Sequence, residues 1–214
     1  MSFDAADFIS GFYSDKARIK PRKSPLLNPF DIVFERGTLS RFPKAYEIAF
    51  CAVLTAIAIA GRAVFFWMPF FKPVAAVVIL AGIALGGAPG FMVGALSMLI
   101  SNFMFGQGPW TLFQMLGMGV VGGISGLLTH LGVMPNRRIT LSAAGFFLTI
   151  IIYGGIANMS SLIFAAYDVS WEMIFALYLS GLPVDIIHGA ATSFFLYILS
   201  GSVLYETSRI RKRF

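Results

Sequence analysis

Residues 73–105 read PVAAVVILAGIALGGAPGFMVGALSMLISNFMF, and not one of them is charged. Two apolar runs joined by GGAP cannot be solvated in water, and a soluble core has no room for a chain made almost wholly of such runs. The same character extends outward. From Ile48 to Asp168 the only charged side chains are Arg62, Lys72, Arg137, Arg138 and Asp168, while 57% of the whole chain is hydrophobic and 12% charged. Polar residues gathered at the ends of apolar segments are the mark of a polytopic membrane protein.

The segments can be read in order. Glu47 to Arg62 forms a first span, followed by the aromatic stretch VFFWMPFF (64–71), suited to a membrane interface. Pro73 opens a second segment that ends near Gly86 and Gly87, short for a crossing unless it tilts, thins the bilayer or is shielded by neighbours. Pro89 to about Phe105 is the third, Pro109 to Gly132 the fourth, and Ile139 to Ala166 the fifth, with GQG and MPNRR as breaks. YDVSW then leads to a last span from Pro183 to about Tyr205; residues 171–180 read either as a lid or as the first half of this kinked helix. The expectation is an all-α bundle of six transmembrane helices over residues 45–214.

Residues 1–44 carry eight basic side chains, five acidic ones and Pro21, Pro25, Pro29 and Pro43. They read as a polar cytoplasmic extension, with DFISGFY and FDIVFERGTLSRF as pieces able to lie on a membrane surface; disorder serves equally well. With no apolar h-region, a cleaved secretory signal is not expected. Basic residues at Arg137, Arg138 and in the terminal RIRKRF place both termini in the cytoplasm. The net charge of +6 is read as topology and lipid headgroup contact, not nucleic acid binding. The lone Cys51 allows no intrachain disulfide.

Chemistry-bearing motifs are few. No GxxxxGK[ST], HExxH or GxSxG occurs, so the chain has no nucleotide loop or hydrolase signature of its own, and no metal ligand set is expected. Asp185 and His188 stand three residues apart in an apolar segment, where ionisable groups are costly and mark a functional candidate. The plainer reading is that Asp185 complements a helix dipole after Pro183 while His188 bonds a neighbour. Arg62 is either a headgroup anchor or a ligand or Asp185 partner, and Lys72 invites the same pair of readings. His130, near a segment end, reads as an interfacial residue. Ala52, Ala56 and Ala60 recur every four residues, a flat strip serving either internal packing or a docking partner; Gly119, Gly122, Gly123 and Gly126 suggest internal packing.

In order, AVLTAIAIAGR (52–62) with its AxxxA spacing, the run KPVAAVVILAGIALGGAPGFMVGALSMLISNFMFGQGPWTLFQMLGMGVVGGISGLL (72–128) and GLPVDIIHGAATSFFLYIL (181–199) resemble the substrate-binding S component of energy-coupling factor (ECF) transporters. The resemblance covers about residues 45–205 and is nearest to the cobalamin branch; the N-terminal extension departs from the compact pattern. It implies an ABC-type importer subunit that captures a vitamin, most readily cobalamin, and hands it inward by toppling while docked on a coupling subunit driven by two ATP-binding subunits. Ala52, Ala56 and Ala60 would meet the coupling subunit. Arg62, Asp185 and His188 would bind polar parts of the ligand. Phe66, Trp67, Trp110, Tyr167 and Trp171 would give flat contacts, and Asn102, Gln107, Gln114 and Asn158 hydrogen bonds. Folate, riboflavin and pantothenate fit the same reasoning. The rivals are an intramembrane enzyme using Asp185 and His188, which would need a third group at similar depth, and a purely structural membrane partner.

Overall fold

The computed structural model describes residues 44–162 and 169–211, and among these every regular element is helical. The N-terminal extension, Tyr167 and the last three residues lie outside the described residues. In chain order the elements are α1 (Lys44–Val64), α2 (Val74–Leu85), α3 (Gly87–Phe105), α4 (Trp110–His130), α5 (Arg138–Leu148), a π-helical turn (Thr149–Gly154), α6 (Gly155–Leu162) and α7 (Trp171–Arg211).

Among the described residues, five helices are long and apolar enough to cross a membrane: α1, α3, α4, the continuous Arg138–Leu162 unit, and α7. The expected sixth, α2, has only 12 residues. At about 1.5 Å per residue it is far short of a hydrocarbon core of about 30 Å. The six-span count is therefore five long helices and one short one. Of the ways a short segment can be accommodated, shielding is the one used: every residue from Val74 to Ala84 is buried. Its neighbours are α1, α3, α4 and α7. An all-round apolar sequence suits that central place.

Glycine sets how closely the neighbours approach. Gly86, at φ 104°, turns the chain directly from α2 into α3, a conformation that L side chains rarely adopt. Across the bundle, a Cβ on Gly122 would run into the Gly90 carbonyl, and one on Gly90 would lie 2.6 Å from the Gly122 carbonyl oxygen. The α4 glycines thus serve internal packing, as small residues do between membrane helices.

Residues 171–180 are not a separate lid. They begin α7, a single helix of 41 residues that continues through Pro183. At about 1.5 Å per residue it is roughly twice the length of a hydrocarbon core.

Candidate functional site

The site begins with Arg62 in the last turn of α1, where the helix dipole favours a cation. Its guanidinium turns toward α3. Nη1 donates to Ser101 Oγ at 2.6 Å and Asn102 Oδ1 at 2.7 Å, with Met98 Sδ at 3.7 Å. The same group lies over the Phe105 ring, 5.4 Å from its centroid. Because arginine only donates, Asn102 must present its oxygen, which leaves its nitrogen for α4. Asn102 Nδ2 donates to Thr111 Oγ1 at 2.9 Å and Gln114 Oε1 at 2.8 Å. One buried amide thus ties α1, α3 and α4 together.

Beside this network opens a cleft of about 600 Å³, counting its mouth. Its wall takes Arg62 from α1, Val74 and Ala75 from α2, Met98 from α3, Gln114 and Met118 from α4, Thr149 and Tyr153 from the π-helical turn, and His188 and Thr192 from α7. The 65–73 connection adds Phe70 and Lys72. Late residues of α1 and α3 thus meet early residues of α2 and α4, so successive helices alternate in direction.

Two local distortions shape this wall. Phe70 has φ 64°, an outlier for a bulky residue, and its ring meets the edge of His188 at 5.4 Å. The π-helical turn brings Tyr153 within 5.5 Å of the same imidazole; such turns recur at functional positions. Thr192 Oγ1 donates to the His188 carbonyl at 2.8 Å and lies 3.1 Å from Thr149 Oγ1. Nδ1 of His188 is buried with no hydrogen-bond partner among the described residues, a group whose isolation is costly unless a ligand or water meets it. Lys72 lies in the connection outside the spans. Burial, and then the neighbouring Arg62 charge, hold its ammonium below the usual lysine range.

Asp185 is placed differently. It is buried at 7% exposure, accepts from Asn158 Nδ2 at 2.8 Å, and packs against Gly154, where a Cβ would lie 2.6 Å from its Cγ. It does not line the cleft, and among the described residues it forms neither an ion pair with Arg62 nor a hydrogen bond with His188. Of the residues singled out from sequence, the cleft brings together Arg62, Lys72, Gln114 and His188, with Asn102 directly behind. Phe66 stacks on Phe105 at 5.4 Å outside it. Trp67 and Trp171 are 88% and 83% exposed, Trp110 covers Gly108, and exposed Gln107 donates to the Leu99 carbonyl at 3.3 Å. Phe70, Met98, Met118, Thr149, Tyr153 and Thr192 are cleft residues that the sequence reading did not single out. The hydroxyls of Thr149 and Tyr153 inside an apolar run were the available signal.

On α1 the side opposite Leu54, Thr55 and Ala58 carries Ala52, Ala56 and Ala60, all exposed. The described bundle thus carries a polar-and-aromatic cleft and, on α1, an exposed small-residue strip.

Residues 43–205 match the model of the family described as ECF-type riboflavin transporter, S component. The chain belongs to that family: it is an S component of an ECF importer, a transporter subunit and not an enzyme. No curated protein and no solved structure matches it.

Proposed function

We propose that this S component captures a vitamin with a flat heteroaromatic ring of about flavin size from the outer side of the membrane. It then passes the vitamin inward by toppling while docked on an ECF coupling subunit driven by two ATP-binding subunits. The observation that carries this reading is the cleft itself, where the rings of Phe70, Tyr153 and His188 stand around a space that Gln114 and Thr192 also line. The enclosed part of the cleft is about 140 Å³, below the usual range for small-molecule pockets, and so suits one flat ring system and not a corrin. A corrin with its nucleotide arm is several times larger than a flavin. The preference for cobalamin therefore gives way to riboflavin, which the matching family's description names. The enzyme reading has little to support it, since Asp185 is held by Asn158 while His188 faces the cleft, and among the described residues no third group joins the two.

Titration of the purified protein with riboflavin and with cobalamin tests the assignment. Riboflavin should quench its fluorescence saturably at one per chain on stacking against the aromatic wall. Saturable cobalamin binding with none of riboflavin would restore the corrinoid reading, and failure to copurify with the coupling and ATP-binding subunits would count against the import role.

A further inference from the structure

Charge in the cleft is one-sided. Arg62 and Lys72 both line it, and none of the described lining residues is a carboxylate. Arg62 spends all its hydrogen bonds on Nη1, so Nη2 and Nε are not engaged by any described residue. Lys72 takes part in no hydrogen bond or ion pair among the described residues. Two cations sharing a half-buried cleft repel one another and lose hydration, an arrangement that an anion between them relieves. The one buried carboxylate among the described residues, Asp185, accepts from Asn158 and does not line the cleft.

We infer that the cargo carries an acidic group, a carboxylate or phosphate, held between the Lys72 ammonium and the free edge of the Arg62 guanidinium. A guanidinium edge presents paired N–H donors to such an oxyanion, and an ammonium adds a point charge from the other side. Unpartnered His188 Nδ1 is left for the ring portion of the ligand. This inference rests on the capture reading above and narrows the substrate class: a neutral flavin fills the aromatic wall but leaves the two cations uncompensated.

The test compares ligands that share a ring and differ in the acidic group: riboflavin with riboflavin 5′-phosphate, and pterin with pterin-6-carboxylate. Binding is measured on the full chain in phospholipid-free detergent. The acidic member of at least one pair should bind at least about tenfold tighter, which is about 1.4 kcal/mol. Lys72→Gln should erase that preference while the melting temperature stays unchanged, since Lys72 makes no structural bond. Raising the salt should weaken only the acidic member. Saturable riboflavin binding with no preference for an acidic partner overturns the inference and leaves capture standing. No binding of any of the four by a cooperatively melting protein overturns both. A preference that disappears in phosphatidylglycerol nanodiscs but persists in phosphatidylcholine assigns the site to lipid headgroup phosphate and overturns the cargo assignment. If Lys72→Gln keeps the preference, Lys72 is a headgroup anchor and the inference falls.

Discussion

Arg62 and Asn102, 40 residues apart in sequence, meet at 2.7 Å between Nη1 and Oδ1. Through the other half of the same amide the contact continues to Gln114 on α4. The cation that faces the cleft is therefore held in place by the bundle. Asn102→Ala should leave the guanidinium short of a buried acceptor and cost about 1–3 kcal/mol of stability. It should also weaken ligand binding, because Arg62 loses its fixed position. A melting curve and a titration on the same sample check both. An unchanged melting temperature would mean that the contact contributes nothing to the fold.

Asp185 should behave in the opposite way. Its carboxylate accepts from Asn158 on α6 and lies outside the cleft wall. Asp185→Leu should strand the Asn158 donors and lower stability by about 1–3 kcal/mol. Asp185→Asn should hold riboflavin within about twofold of the parent affinity, roughly 0.4 kcal/mol. A tenfold loss in the Asn variant would bring Asp185 into the ligand site after all.

The exposed face of Ala52, Ala56 and Ala60 suits close approach of another helix. Ala56→Trp should abolish vitamin uptake by cells and copurification with the coupling subunit while ligand binding by the isolated chain stays intact. Normal assembly in the Trp variant would leave the strip without a docking role.

Orientation can be tested independently of the ligand. Arg137, Arg138 and the basic C-terminal tail favour a cytoplasmic location for that face, which puts the cleft and the 106–109 connection outside. A cysteine at exposed Gln107, with Cys51 replaced by Ala, should react with an impermeant thiol reagent in intact cells. Labelling only after permeabilisation would invert the topology.

Close backbone contact between α3 and α4 leaves no space for a side chain at Gly122, where a Cβ would also come 2.9 Å from Val78 Cγ1. Gly122→Leu should destabilise the protein by about 1–3 kcal/mol or more through overpacking, read as a lower melting temperature in detergent. Gly155, with open space around its Cα, is the control.

The apolar runs, their proline starts and their glycine breaks were enough to derive an all-helical membrane bundle, because helices satisfy their backbone within a single segment and need no distant partner. GGAP likewise announced the α2–α3 turn locally. Arg62, Gln114 and His188 stood out because a polar side chain inside or at the end of an apolar run is costly wherever it ends up. Tertiary packing decided the rest. Whether short α2 tilts or is shielded depends on its neighbours, and a helix buried all round has no sequence stripe to say so. The Asp185–His188 spacing fixed their separation along α7 but not what each would face: α6 took the carboxylate through Asn158, and the cleft took the imidazole. Phe70 and Tyr153 became site residues only when a strained connection and a π-helical turn carried them to one wall, since contacts between distant segments leave no trace in local periodicity.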